Sequence, residues 1–200
     1  MKKLIFATHN PHKVKEIQNL ISGRFKILSL NDINFHDEIS EDRLTIEANA
    51  LKKAYHIHRI YAMDCFADDT SLEVLALQGQ PGVYSARFAE LTNEVNSNEN
   101  ISDANIRKLL KLMQNVNNRS ARFRTIIALI YGSQEYLFEG IVEGTILHKK
   151  RGLSGFGYDP VFQPSGQKLT FAEMSLEQKN SISHRAIAVN KLVEFLKSYA

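Results

Sequence analysis

Residues 61–74 read YAMDCFADDTSLEV, and the adjacent Asp68 and Asp69 are residues whose types invite chemistry. Small or apolar Cys65, Phe66 and Ala67 precede them. After Thr70 and Ser71 an apolar pattern resumes with Leu72, Val74 and Leu75. The stretch reads as a buried strand that ends at the two aspartates. Like charges side by side repel, and burying either one calls for a compensating cation. Carboxylate oxygens are also the ligands Mg2+ prefers, usually one or two of them completed by substrate phosphates. DDTS is equally good capping chemistry for a turn or helix. The pair by itself leaves both roles open.

Four other stretches could supply the missing positive charge and something for it to hold. THNPHK, residues 8–13, lies between a strand and a helix. Asn10 and Pro11 suit a tight turn, backbone N–H groups at the helix start can hold an anion, and Lys13 can reach the same place. The glycines of a Walker loop are absent, and a plain connecting loop is the alternative. In TIEANALKKA, Thr45, Asn49 and Lys53 lie four apart and line one helix face, which read alone is a solvated stripe. Glu41 sits just before it in an acidic stretch. SGFGYDPVF, residues 154–162, combines glycine freedom with Phe156 and Tyr158. A base could stack there while close backbone approach lets its edge be read; a β-turn is the alternative. EQKNSISHRA, residues 177–186, puts Lys179, His184 and Arg185 where the last helix begins. Cations there oppose the macrodipole, so a bound anion would account for them, as would a surface charge cluster. Lys13, Lys53, Lys179 and Arg185, with a divalent metal, could together balance both aspartates and a polyphosphate.

The elements that must position these residues follow from periodicity. Residues 3–8 read as a short buried strand broken at Pro11. A helix over 12–22 follows, with Val14, Ile17 and Leu20/Ile21 at helical spacing and Gly23 as a stop. Residues 25–30 alternate as a strand. The helix over 45–62 buries Ile46, Ala50, Ile57 and Tyr61. The strand ending at Asp68 leads into SLEVLAL, and the asparagine-rich 91–103 is a candidate mobile surface loop. DANIRKLLKLM is a helix. Residues 121–133 and 135–147 form a hairpin around Gly132-Ser133, and the last helix spans 184–199. Early alternation of strands and helices, with a late antiparallel pair, indicates α/β with a mixed sheet.

Composition bounds the class. The 200 residues suffice for one large domain or two lobes sharing a core. Hydrophobic content of 44% and charged content of 24% are those of a globular protein. No apolar run approaches the roughly 20 residues of a membrane span. The run Leu4 to Ala7 is shorter than the roughly 7–15 residues of a signal-peptide core. A cytoplasmic location without a membrane partner is therefore expected. The single cysteine, Cys65, excludes an internal disulfide and a cysteine zinc cage, and its apolar neighbours favour an inert thiol. A net charge of +3 is too small to imply a nucleic-acid partner.

From Lys3 to about Leu196 the chain resembles the inosine triphosphate pyrophosphatase family. ATHNPHK resembles that family's T-G-N-x-x-K, TIEANALKKA its E-N-A-x-x-K-A and ADDTSLEV its A-D-D-S-G-L. PGVYSARF resembles P-G-x-Y-S-A-R, GFGYDPVF resembles G-F-G-Y-D-P-x-F and KNSISHR resembles K-x-x-x-S-H-R, all in the family's order. The resemblance implies one domain over residues 1–200, a two-lobed α/β fold around a long mixed sheet flanked by helices, and a nucleotide in the cleft between lobes. It implies a homodimer and Mg2+-dependent hydrolysis of non-standard purine nucleoside triphosphates (ITP, dITP, XTP) to the monophosphate and pyrophosphate, cleansing the nucleotide pool. By motif position, Thr8, His9, Asn10, Pro11, His12 and Lys13 cradle phosphates. Lys53 and Lys179 neutralise triphosphate charge. Glu41 and Asp69 hold metal, with Asp69 as base, Asp68 supporting it and Thr70 touching substrate. Phe156, Gly157, Tyr158, Asp159, His184 and Arg185 shape the base pocket, the last two meeting the base edge. His9 departs from the family's glycine, Thr70-Ser71 from Ser-Gly, and IEANA from the Glu-Asn adjacency. A pyrophosphatase of related fold acting on modified pyrimidine or standard nucleotides is the competing enzyme. A nucleic-acid-binding module is the competing reading of another class, disfavoured by weak net charge and the paired carboxylates.

Overall fold

The computed structural model describes residues 2–21 and 25–198, so the expected stop at Gly23 lies outside the described residues. The chain folds into strand β1 (Lys2–Phe6), helix α1 (Pro11–Leu20), β2 (Phe25–Ser29), α2 (Ile46–Tyr61), β3 (Cys65–Val74) and β4 (Pro81–Gly82). Then come α3 (Ile101–Leu112), β5 (Ser120–Tyr131), β6 (Gln134–Ile146), β7 (Phe162–Pro164), α4 (Leu176–Ile182) and α5 (His184–Ser198). The strands form one mixed sheet in the order β2-β1-β3-β5-β6-β7, with β4 paired to β3. β1 runs parallel to β2 and β3, placing Phe6 opposite Phe66; β7 is antiparallel to β6.

Local chemistry sets the boundaries. Pro11 does not merely break the strand. It opens α1, where its missing N–H costs nothing, and the Asn10 side chain caps the helix by accepting from His12 N and Lys13 N. Thr45 caps α2 through Ala48 N, and left-handed Ala62 closes it. Gly132 and Ser133 both have positive φ, 55° and 64°. That is the two-residue turn whose twist suits a hairpin.

Three expectations need correction. β3 does not end at Asp68. It continues through Asp69 to Val74, because both faces are covered there and the aspartates find partners; the capping role falls away. Lys179 does not sit at the start of the last helix but in the separate α4, ahead of α5. The 91–103 segment is fastened at several points. Arg107 donates to the Glu94 carbonyl and holds Glu99, and Lys108 donates to Thr92 Oγ1 at 2.6 Å.

Two compact units emerge. The first comprises residues up to Asp69, Thr125–Gly140 and those from Ser183. Its core joins Leu4, Phe6, Ile17, Phe66, Leu129, Val189 and Leu192. The second comprises Thr70–Arg124 and Ile141–Ile182, with a core of Leu72, Ile106, Leu109, Phe123, Phe162 and Phe171. Among the described residues no helix is long and apolar enough to cross a membrane.

Candidate active site

The opening difficulty of two adjacent buried carboxylates is resolved by the pleat. Successive strand residues point to opposite faces. Phe66 packs in the first unit's core with Ile17 of α1 and Val189 of α5, so Asp68, two residues on, faces those same helices. Cys65 Sγ donates to the Ala54 carbonyl of α2 at 3.1 Å, so Asp69, of the same parity, faces α2. The two aspartates therefore project toward different helices.

Asp68 is 1% exposed. Lys13 Nζ of α1 donates to its Oδ1 at 2.8 Å, and Arg185 Nε of α5 to its Oδ2 at 3.1 Å. Arg185 Nη1 also donates to Glu16 Oε2 at 2.5 Å. Lys53 of α2 donates to the Asp68 carbonyl at 2.7 Å and pairs with Glu41. Burial by itself would raise the Asp68 pKa, but Lys13, Arg185 and Lys53 overcome it and hold the carboxyl far below the usual range. Burial likewise works against the charge on Lys53, and the neighbouring Asp69, Glu41 and Asp68 more than offset it, raising its pKa. Burial would raise Glu41, yet Lys53 and Lys13 keep it low. Asp68 is thus an anchor held in its ionised form and a poor base.

This arrangement changes the role expected for Arg185. Burial would lower its pKa, and Asp68 with Glu16 instead raises it. The guanidinium is 1% exposed, with Nε donating to Asp68 and Nη1 to Glu16, so it orients Asp68. The anion that a cation at this helix start called for is supplied by the protein itself. Glu16 was missed in the sequence because it reads as one more polar residue of an amphipathic helix. Its placement three residues after Lys13, on the same face, was the available signal. His184 is buried at the first position of α5.

The 8–13 loop is also more self-contained than expected. Asn10 Oδ1 takes the N–H groups of His12 and Lys13, Asn10 N donates to Thr8 Oγ1, and Thr8 N donates to the Phe6 carbonyl. Pro11 has no N–H to offer. The helix-start amides are therefore used by the Asn10 cap, and an anion there would rely on side chains such as Lys13.

In the second unit, Asp159 organises the 154–162 turn. Its Oδ2 accepts from Phe156 N at 2.9 Å and from Lys179 Nζ at 2.7 Å. Gly155, at φ 77°, is required, because a Cβ there would stand 2.1 Å from that oxygen. Lys179 Nζ lies 4.9 Å from the centroid of the half-buried Phe156 ring. Tyr158 does not offer an exposed ring for stacking. It is buried in the core, its hydroxyl donates to the Ser85 carbonyl at 3.0 Å, and burial raises its pKa well above the ordinary value. Gly157 has positive φ, and no heavy atom lies within 4 Å of where a Cβ would stand. Thr70, the residue after Asp69 in β3, is half-buried.

Among the described residues no group of three His, Cys, Asp or Glu side chains forms a ready-made metal cage. Glu41 and Asp69 are nevertheless hard oxygen donors, both near enough to Lys53 to raise its pKa. That set fits a cation needing one or two carboxylates, with the rest of its shell arriving on a phosphate.

An α/β protein that sets paired carboxylates of one strand against buried cations of its helices matches known sequences over its length. The Ham1 family's sequence pattern covers residues 4–195, and the chain belongs to that family. The dITP/XTP pyrophosphatase of Christiangramia forsetii is 50% identical over 194 residues, 97% of this chain and 98% of that protein. The dITP/XTP pyrophosphatase of Porphyromonas gingivalis is 52% identical over 198 residues, 98% of each. The Staphylococcus aureus Ham1 protein superposes with a TM-score of 0.86 at 34% identity, covering all of both chains. A Coxiella burnetii HAM1 protein gives 0.86 at 32% identity over 99% of this chain and 100% of that one. The resemblance carried by the six motifs agrees with these relatives.

Proposed function

We propose that the protein hydrolyses non-standard purine nucleoside triphosphates, ITP, dITP and XTP, to the monophosphate and pyrophosphate. The observation that carries this reading is the division of labour along β3. Asp68 is sealed between Lys13 and Arg185, while Asp69 projects to the opposite face beside Lys53. Phosphoryl transfer needs positioning and charge neutralisation more than covalent help. Asp69 orients a water in line with the α-phosphorus and takes its proton as the new P–O bond forms. The α–β anhydride bond breaks and pyrophosphate leaves. Lys53 offsets charge on the phosphates, as does Lys13, whose ammonium has two further donors beyond Asp68.

Glu41 and Asp69 would hold Mg2+, which when bound polarises phosphate oxygens and spreads the leaving group's charge. The base is assigned to the second unit. Phe156 stacks on it, Gly157 permits close backbone approach, and Asp159 with Lys179 keeps the turn in shape. The chain works as one domain, as a homodimer in the cytoplasm, without nucleic acid. The names of the relatives support the substrate class.

Product identification by phosphorus NMR with ITP, XTP, GTP and a modified pyrimidine triphosphate, with and without Mg2+, tests the proposal. Pyrophosphate as the first product from ITP or XTP is expected. Orthophosphate first, or equal use of modified pyrimidine triphosphates, would overturn it.

A further inference from the structure

The loop between β1 and α1 carries histidine where the resembled T-G-N-x-x-K motif has glycine, and the structure puts that side chain to use. His9 Nε2 lies 3.1 Å from the carbonyl oxygen of Asp37. A carbonyl only accepts, so Nε2 carries the proton and donates. Nδ1 stands 3.4 Å from the Asn31 side-chain oxygen. The ring lies nearly parallel to Phe35, at 14° with centroids 6.2 Å apart. Phe35 is buried, and His56 of α2 meets it edge-on at 5.7 Å.

The far end of the same segment is fastened by α2. Asn49, 1% exposed, accepts the Arg43 N–H at 2.9 Å. Lys52 donates to Ser40 Oγ at 2.6 Å and to Asp42 at 2.8 Å, and Lys53 pairs with Glu41. Residues 37–43 are therefore strung between His9 at one end and Asn49 at the other, with Glu41 between them. The 8–13 loop spends most of its own amides internally, so its outward attachment falls to side chains. Besides the imidazole, a long hydrogen bond from Leu30 N to the Thr8 carbonyl, 3.4 Å, ties this loop to the 30–37 region.

We propose that His9 is a positioning residue that couples the 8–13 loop to the 37–43 segment. The lysine proposed for the phosphates and the carboxylate proposed for the cation then hold a fixed relation. The kinetic half of this inference rests on the function proposed above; the structural half does not. Hydrogen–deuterium exchange on the metal-free, substrate-free protein, wild type against His9→Gly and His9→Gln, tests the structural half. The Arg43 amide, which donates to Asn49 Oδ1, is expected to exchange roughly three- to tenfold faster in His9→Gly, the scale of one lost hydrogen bond. His9→Gln, which keeps a donor, should restore most of the protection.

In turnover assays His9→Gly should raise both KM for ITP and the Mg2+ concentration giving half-maximal rate by similar factors, with kcat changed less. Unchanged exchange of the Arg43 amide in His9→Gly overturns the proposal. So does a lowered Tm with KM and Mg2+ dependence unaltered. If the wild type fails to turn over ITP, the functional reading falls, and the exchange comparison still decides whether His9 holds the segment.

Discussion

Asp68 and Asp69 are chemically identical neighbours that the fold makes unlike. Asp69→Asn is nearly isosteric but gives up the anionic ligand and the base. It is expected to cost at least the ~10²–10⁴-fold typical of lost general acid–base catalysis, with a melting temperature close to wild type. Asp68→Asn should do the reverse first: Lys13 and Arg185 lose their shared anion inside the protein, a loss on the order of 3–5 kcal/mol. Paired thermal melts and kinetics separate the two, and a stable, inactive Asp68→Asn would reverse the assignment. The same contrast sets the acid limb of stability. The folded pKa of Asp68 is depressed, so its contribution is complete above the ordinary value of 3.8 and is lost as pH falls below that toward the folded value. Urea titrations between pH 5 and about 2 should show stability dropping more steeply in wild type than in Asp68→Asn.

At the level of elements, the placing of α5 depends on a glycine. A Cβ on Gly140 of β6 would stand 2.0 Å from the His184 carbonyl oxygen and 2.7 Å from Ala188 N. Both are backbone atoms that no rotamer change can clear. Gly140→Ala is expected to push the first turn of α5 off the strand, costing about 1–3 kcal/mol, and to loosen the hold of Arg185 on Asp68. A melting temperature equal to wild type would refute this. The elements themselves were legible in the sequence, because Val14, Ile17 and Ile21 in one stretch, and Ile46, Ala50 and Ile57 in another, repeat at helical spacing and Gly132-Ser133 is a short-range turn signal. The run of β3 through Asp69 was not, because a strand covered on both faces has no polar alternation to extend. The candidate site was legible as residue types but not as partnerships. Arg185 meets Asp68 and Glu16 across 117 and 169 residues of chain, and nothing in local spacing marks which acid pairs with which base. Tyr158 was misread for a related reason: an aromatic between glycines and a proline serves equally as an exposed ring or as an anchor, and only the Ser85 carbonyl decides.

For the whole molecule, neither compact unit is a continuous piece of chain. The path changes unit after Asp69, Arg124, Gly140 and Ile182. The first unit needs residues from Ser183 onward for Val189 and Leu192 in its core and for Arg185 between Asp68 and Glu16. A chain stopped after Ile182 is therefore expected to lack fixed tertiary structure, with little near-ultraviolet circular dichroism. A separate peptide of residues 183–200 should restore the signal when added. A truncated chain with native-like dichroism would refute the expectation. On the ribosome this dependence becomes a matter of timing. Glu16 and Asp68 emerge more than a hundred residues before their shared guanidinium, so until then these two carboxylates lack the cation that joins them. Arg185 then acts as a proof of completion, since translation that stalls short of it yields a chain unable to close over its own acids and open to proteolysis.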